Sequence, residues 1–276
     1  MSWSKLKTII IYILLLLNVF LLALVGMNRL RAQRYQTAAL TEAAAVLAHN
    51  NIRVQWEDLP REMKLPAVTL TRDLQKEEQL VRALLGDGVA ASASGGGLYV
   101  YTGQGSAGSA SFRGNGEFAI TCGAPGSQGV TSRELMGQLD LSVGRVWEEE
   151  GSSTAEQSLN GVPVYAAGSS VQGPAGLTLT CDGEGRICAA SGRLYLGKPE
   201  AEPEEGEPVS VSTALMAFLN FVVDNGDVCG EITSMSPVYR AGGDPVRLTT
   251  AWLIRTDTGG YFVDAVSTEV SRAPAE

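Results

Sequence analysis

Histidine is nearly absent from this sequence, which has one, His49, among its 276 residues. A Ser-His-Asp or Cys-His catalytic site would have to use that residue, and the chain has no G-x-S-x-G element to supply a nucleophile. A C-x-x-C pair is also missing, which disfavours a zinc site. We therefore predict a protein that is not an enzyme and that has no catalytic, cofactor-binding or metal-binding residues.

Acidic side chains are missing from the first 34 residues. The other 242 residues carry all 30 Asp and Glu but only 16 of the 21 Lys and Arg, so their net charge is −14. Nucleic-acid binding depends on clustered cations that neutralise phosphates, and nucleic acid is therefore not an expected partner. A segment of this length is large enough for one large or two small hydrophobic cores.

Charge is missing altogether from residues 8–27, an apolar run of 20 residues. An α-helix of this length spans the hydrocarbon core of a bilayer, and Lys and Arg flank the run on both sides. The run is longer than the apolar part of a signal peptide, and no clear small-x-small cleavage site follows it. We predict an uncleaved signal anchor in the cell membrane, with an orientation that the nearly balanced flanking charges leave open.

One polar residue, Asn18, interrupts this apolar run. Inside hydrocarbon its amide would gain about 0.6–2 kcal/mol from a partner on a neighbouring helix. Leu14, Leu22 and Val25 lie four or seven positions away and share its side of a helix. These four residues form the predicted contact surface for a partner helix, although a single asparagine is also tolerated without a partner.

Helices and strands alternate after the apolar run, and their order predicts an α+β fold. A helix followed by an antiparallel meander recurs, which indicates two related modules, each with its helix packed on one face of a sheet. Residues 198–208 combine five glutamates with three prolines and predict a solvated linker or loop. The predicted domains are a tail at 1–7, the transmembrane helix at 8–27, a first module at 36–197, the linker at 198–208 and a second module at 209–276.

Individual elements are predicted from hydrophobic spacing and from capping residues. The clearest helix begins at Ser210 or Ser212 and ends at Asn225-Gly226, and another ends at Gly86. A third begins at Thr131 or Ser132, runs through Leu139 and resumes towards Trp147. The predicted helices are 35–50, 73–85, 131–139 and 212–223, and the main predicted strands are 98–102, 118–122, 162–166, 177–181, 187–196, 248–256 and 260–266.

The four cysteines are Cys122, Cys181, Cys188 and Cys229. An even number in the folded part suits disulfides outside the cytoplasm. Cys181 and Cys188 flank a predicted hairpin turn and are the one pair with local support for a disulfide. The alternative, four reduced thiols that serve as small buried apolar side chains, stays open.

Three stretches of the chain resemble the YycH/YycI family, and YycI most closely. They span nearly the whole chain in the expected order, although each is short. The stretches are Trp3–Ile9 with Asn18–Leu22, Asn51-Ile52 with Leu59–Glu62, and Ala251–Ile254 with Gly260–Ala265.

The resemblance implies a cytoplasmic N-terminus, an extracytoplasmic C-terminal part and two PepSY-like modules without enzymatic activity. It also implies two partners, a sensor histidine kinase of the WalK/YycG type that controls cell-wall metabolism in Gram-positive bacteria, and a YycH-like protein. The expected function is regulation of that kinase through transmembrane helix contacts and an ectodomain complex, with the lipid bilayer around the anchor. An alternative is an anchored PepSY-like inhibitor or chaperone of an extracytoplasmic protease.

Overall fold

Strands dominate the architecture, which was obtained as a computed structural model describing residues 3–105, 107–123, 130–167, 173–202 and 206–274. Within these ranges the helices are α1 (Trp3–His49), α2 (Leu74–Leu85), α3 (Ser132–Gln138) and α4 (Val211–Asn225), with a 3₁₀ turn at Trp56–Asp58. The strands are β1 (Arg53–Val54), β2 (Val68–Arg72), β3 (Val89–Ala93), β4 (Tyr99–Gly103), β5 (Gly108–Phe112), β6 (Glu117–Cys122), β7 (Ser142–Glu149), β8 (Ser152–Leu159), β9 (Val162–Ala166), β10 (Gly176–Cys181), β11 (Ile187–Arg193), β12 (Gly197–Ala201), β13 (Glu231–Gly242), β14 (Val246–Thr256), β15 (Gly260–Asp264) and β16 (Val270–Ala273).

The helices begin and end where their capping residues require. Asp73 accepts hydrogen bonds from the first turn of α2, and Gly86 follows its last residue with a positive φ of 84°. Ser210 caps α4, and Gly226 ends it in the left-handed conformation that glycine adopts at least cost. These two predicted helices are confirmed.

The strands join into one continuous sheet. Twelve of them follow the order β12-β2-β14-β13-β9-β8-β10-β11-β6-β5-β4-β3, and β1, β7, β15 and β16 pair at its sides. Strand β9 connects two halves, because it pairs in parallel with β13 and antiparallel with β8. We call the part on the β13 side the α4 half and the part on the β8 side the α2 half.

Each half has its own hydrophobic core. In the α4 half, Leu215 and Phe218 of α4 pack against Trp252 and Ile254 of β14, together with Leu47 near the end of α1. In the α2 half, side chains of α2 and α3 cover the sheet formed by β4, β5, β6, β8, β10 and β11. The last turns of α1 therefore belong to the folded core.

The fold-class prediction of two consecutive modules, each a helix on an antiparallel sheet, is wrong. Strand β2 lies in the first predicted module but pairs with β14 of the second, and β1 and β9 both pair in parallel with β13. The result is a mixed, sheet-dominant fold. Hydrophobic spacing identifies which segments form strands, but pairing between segments more than 150 residues apart leaves no local pattern.

The prediction of a transmembrane helix is also wrong. None of the helices in the described part of the chain combines the length and the apolar character that crossing a bilayer requires. Residues 8–27 are not a separate element but part of α1, which continues through Arg29, Arg31 and Arg34 to His49. The predicted signal anchor and the predicted single-pass membrane localisation with a cytoplasmic N-terminus depend on that helix and are therefore wrong as well.

Two smaller differences concern secondary structure. Trp147 lies in β7, so the helix predicted to resume towards it is absent and α3 ends at Gln138. The first residues of the predicted acidic linker form β12, which pairs with β2, while residues 203–205 lie outside the described ranges. The backbone of a Pro- and Glu-rich segment pairs here because it lies at the edge of the sheet, where proline is tolerated.

Candidate functional site

A cleft of about 720 Å³ opens where the two halves of the sheet meet. One wall comes from β7 and β8, the other from β13 and β14, and residues of β9 lie between them. We call it the arginine cleft, because Arg145 stands on the first wall and Arg255 on the second.

A β-bulge places Arg145 in the cleft. The pairing of β7 with β8 is regular on either side, but it shifts between Val143 and Val146, so that Gly144 and Arg145 lie opposite Glu156. Such bulges redirect side chains and are frequent beside functional sites. Nε and Nη2 of Arg145 donate to the two carboxylate oxygens of Glu156 at 3.2 and 3.1 Å, a bidentate ion pair.

The ion pair is asymmetric in its exposure. The side chain of Glu156 is 3% exposed, whereas that of Arg145 is 60% exposed. A carboxylate buried to this degree needs a counter-charge, and Arg145 supplies it. The two hydrogen bonds to Glu156 hold the guanidinium group of Arg145 in one orientation at the rim of the cleft.

A second irregularity shapes the opposite wall. The pairing of β13 with β14 shifts between Ile232 and Ser234, which brings Thr233 and Ser234 to the cleft. On the facing strand, Nη2 of Arg255 lies 3.5 Å from the hydroxyl oxygen of Tyr165. Burial raises the pKa of Tyr165 above its ordinary value of 10.0, so its phenol stays protonated at neutral pH.

The arrangement suits binding. Two arginines and one glutamate are the charged residues that line the cleft, and the hydroxyls of Thr233, Ser234 and Ser236 add neutral donors and acceptors. Such a lining offers hydrogen-bond donors and acceptors to a polar ligand.

Comparisons with known proteins give no family for this chain. No family model matches it, and no curated protein matches it. Among solved structures it is similar to an uncharacterized protein from Eubacterium rectale ATCC 33656, with 13% identity and a TM-score of 0.46 over 81% of this chain and 90% of that one.

The predicted contact residues Leu14, Asn18, Leu22 and Val25 lie on α1, away from the arginine cleft. Leu14, Leu22 and Val25 are each at least half exposed. The amide of Asn18 donates to the carbonyl oxygen of Leu14 at 2.9 Å, so its own helix supplies an acceptor. The role of these residues in binding a partner helix stays a prediction.

The candidate disulfide between Cys181 and Cys188 is not formed in the structure, where both thiols are free. A register shift places Ile187 opposite Cys181, and Cys188 instead lies with its Sγ 3.2 Å from the carbonyl oxygen of Thr180. The bulge thus takes Cys188 out of the position that the hairpin pattern predicted.

Two other groups of residues have structural roles. Trp252, Tyr261 and Phe262 are buried in the core. The segment Asp224–Asp227 ends α4, as predicted, and does not resemble a calcium loop in its bonding, because Asp227 contacts Arg272 and Tyr261.

Sequence reasoning missed Arg145, Glu156, Tyr165 and Arg255. Glu156 lies in a strand of small and polar residues, where a charged side chain ordinarily indicates the solvent face. Gly144 beside Arg145 is the one local hint, since a glycine inside a strand often marks a bulge.

Proposed function

We propose that this protein is a non-enzymatic regulator that acts by binding other proteins, namely a sensor histidine kinase that controls cell-wall metabolism and a YycH-like protein. The partners come from the resemblance of three stretches of the chain to the YycH/YycI family. The mode of action, contact between folded surfaces, draws on the geometry of the arginine cleft.

The arginine cleft is the observation that carries this proposal. It has a volume of about 720 Å³, and its walls present Arg145, oriented by Glu156, on one side and Arg255 on the other. Oriented guanidinium groups recognise carboxylates with directional hydrogen bonds. We assign the cleft to an acidic segment of the YycH-like partner.

A second surface lies on α1, where apolar side chains between Tyr12 and Val25 are exposed. A contiguous exposed apolar surface of this kind marks an interaction site. We assign the side that carries Leu14, Asn18, Leu22 and Val25 to contact with a helix of the kinase.

Regulation requires more than binding. A regulator shifts the kinase between two signalling states only when it binds one state more tightly than the other. The complex therefore has to make contacts in one state that are lost in the other, and variants of either surface should change kinase output as well as complex formation.

The cleft assignment is tested by two substitutions that change the charge of its walls. Arg255→Gln removes one guanidinium, and Ser236→Glu adds a carboxylate among the exposed cleft residues. Each should reduce, by roughly tenfold, the YycH-like protein that co-purifies with the full chain after cross-linking in its own cells. Arg113→Gln, which changes an exposed arginine outside the cleft, is the control and should leave recovery unchanged.

The α1 assignment is tested by Asn18→Leu and by replacement of residues 8–27 with an unrelated apolar sequence. We expect less kinase in the complex and altered kinase output. Unchanged values in both measurements would remove Asn18 from the mechanism. A protease as the main cross-linked protein, with no kinase recovered from the unaltered chain, would overturn the proposed function.

A further inference from the structure

The α2 half of the sheet ends in a strand whose outer edge is open. β3 (Val89–Ala93) pairs with β4 at all five of its positions and has no other partner strand in the described part of the chain. Residues 90–93 are exposed. We call this outer side the β3 edge. An edge of this kind presents backbone N–H and carbonyl groups to which another strand can pair.

The other outer strands in the described ranges are protected against such pairing. β12 carries Lys198, Pro199 and Glu200. β7 contains the bulge at Arg145, and β16 carries Arg272. Charges, proline and bulges prevent a foreign strand from pairing. The sequence of β3, Val-Ala-Ala-Ser-Ala, has no charge and no proline, and its pairing with β4 shows no register shift. The β3 edge therefore lacks all three kinds of protection.

The backbone directions in β3 follow from the hydrogen bonds at its two ends. The carbonyl oxygen of Gly88 accepts a hydrogen bond from the N–H of Gln104 at 2.9 Å. At the other end, the N–H of Ser94 donates to the carbonyl oxygen of Leu98, also at 2.9 Å. Because successive residues of a strand direct their backbone groups to alternate sides, the even-numbered residues of β3 face β4. The backbone groups of Ala91 and the other odd-numbered residues therefore face the open side.

The β3 edge is complementary to itself. In an antiparallel pair of two copies centred on Ala91, the N–H of each Ala91 donates to the carbonyl oxygen of the other. The N–H of each Ala93 then donates to the carbonyl oxygen of Val89 in the other copy. The N–H of Val89 needs no partner from a second copy, because it donates to the carbonyl oxygen of Asp87 at 3.0 Å.

The charges at the two ends of β3 also suit a second copy. No like charges meet across the axis, since the residues of β3 are uncharged. The same register places the exposed Asp87 of one copy opposite Gly95 of the other. In the loop that follows Gly95, Arg72 donates to the carbonyl oxygen of Gly97. Each end of the pair therefore brings an acidic side chain of one copy to a loop that binds a cation of the other, which is complementary in charge.

We propose that the β3 edge binds a second copy of this chain. The two β3 strands pair antiparallel around a twofold axis at Ala91, and the sheet continues from one copy into the other. This interface uses no residue of the arginine cleft or of α1, so it does not depend on the proposed function. Five small residues from each copy bury little area, and the dimer is therefore weak and dependent on concentration.

The first test places one new thiol at the axis. Opposite residues at a hydrogen-bonded position of an antiparallel pair have Cα atoms about 5.5 Å apart, which is within the range of a disulfide. The full chain with Ala91→Cys is incubated with oxidised glutathione, which is reduced to two molecules of glutathione as two introduced thiols join. We expect a covalent dimer, with the bond located at position 91 by peptide mapping.

The matched control is Thr102→Cys, which adds a thiol at an exposed position of β4, one strand inside the β3 edge. It should give no more covalent dimer than the unaltered chain, whose own four cysteines set the background.

The second test adds a charge at the axis. Ala91→Lys brings two ammonium groups opposite each other and should raise the dissociation constant of the dimer by about tenfold or more. Sedimentation of the full chain between roughly 10 μM and 1 mM, the range expected for a weak complex, measures this constant. Thr102→Lys adds the same charge in β4 and should leave the constant unchanged.

Three results would overturn the proposal. The first is a chain that stays monomeric over this range of concentration. The second is a dimer that Ala91→Lys does not weaken, as expected if the copies associate through α1 instead. The third is an Ala91→Cys chain that forms no more covalent dimer than the unaltered chain.

Discussion

Gln157 forms two hydrogen bonds with the backbone of Tyr195. The side-chain Nε2 donates to the carbonyl oxygen of Tyr195 at 3.0 Å, and the N–H of Tyr195 donates to Oε1 at 2.9 Å. Both residues are buried. The side-chain amide of Gln157 thus pairs with Tyr195 as a neighbouring strand would. It satisfies the N–H and the carbonyl oxygen of Tyr195, which lies in the segment between β11 and β12.

Gln157→Leu should lower the free energy of unfolding by about 2–4 kcal/mol, because it leaves the buried N–H and carbonyl of Tyr195 without partners. Urea denaturation followed by circular dichroism measures the change. Gln138→Leu, at an exposed position of α3, serves as the control and should change stability by less than about 0.5 kcal/mol. Equal effects of the two substitutions would show that the Tyr195 backbone finds another partner.

Two adjacent glutamates of α2 offer a matched comparison. Glu77 is 3% exposed, accepts hydrogen bonds from Arg72 at 2.6 and 3.1 Å, and lies 3.3 Å from the hydroxyl of Tyr101. Glu78 pairs with Arg82 on the surface. Glu77→Gln should cost about 2–4 kcal/mol, since a partly buried arginine loses its counter-charge, whereas Glu78→Gln should cost less than about 1 kcal/mol.

The measurement is again denaturant unfolding of both variants beside the unaltered chain. A salt titration adds a second criterion, because screening weakens the exposed Glu78 pair more than the buried Glu77 pair. Similar losses for the two variants would contradict the importance of burial for the Arg72–Glu77 contact.

The capping residues and the hydrophobic spacing predicted those helices and strands whose limits are set by neighbouring residues in the sequence. Asp73 and Ser210 cap helices that begin where the sequence indicates, and Gly226 ends α4 because it tolerates the left-handed conformation. β9 is predicted to the residue at Val162–Ala166. The strands predicted at 248–256 and 260–266 correspond to β14 and β15, which pair antiparallel as a hairpin.

Long-range pairing could not be predicted in the same way. β13, at Glu231–Gly242, was not among the predicted strands, although it pairs with β14 along its length and in parallel with β1 and β9. The arginine cleft depends on this strand and on two register shifts. A shift of one residue reverses the direction of every side chain that follows, and its position is set by contacts between strands.

The contact of Asp227 with Arg272 predicts a dependence of stability on pH. The hydrogen bond from Arg272, together with one from the hydroxyl of Tyr261 at 3.1 Å, holds the pKa of Asp227 below its ordinary value of 3.8. A lowered pKa means that the folded state binds this proton less readily than the unfolded state. The stabilisation is therefore complete above the ordinary pKa and is lost as the pH falls through the folded pKa.

Asp227→Asn should lower the Tm at neutral pH, and its difference from the unaltered chain should shrink as the pH falls from about 4 to about 2. Thermal unfolding in a series of buffers measures both quantities. Asp224→Asn, three residues earlier on the exposed surface of α4, is the control. A constant difference in Tm across this pH range would show that Asp227 contributes through packing instead of charge.

The thiols near the end of β10 predict a chemical result. Cys122 lies close enough to Cys188 for the charge of one thiolate to act on the other, and burial, reinforced by this repulsion, raises the pKa of Cys122 above its ordinary value of 9.0. Burial and the same neighbour also raise the pKa of Cys181. Because the thiolate is the reactive form, Cys122 and Cys181 should react slowly with iodoacetamide in the folded protein at pH 7 and faster as the pH rises.

The number of free thiols can also be counted with Ellman's reagent. Denatured without reductant, the chain should release four equivalents of thionitrobenzoate from Ellman's reagent, since all four cysteines are free, and Cys188→Ser should release three. The register shift that places Ile187 opposite Cys181 is the physical reason for expecting no bond between Cys181 and Cys188. Release of two equivalents from the unaltered chain and three from Cys188→Ser would show instead that these two thiols are joined, and that the bulge in β11 yields to bring them together.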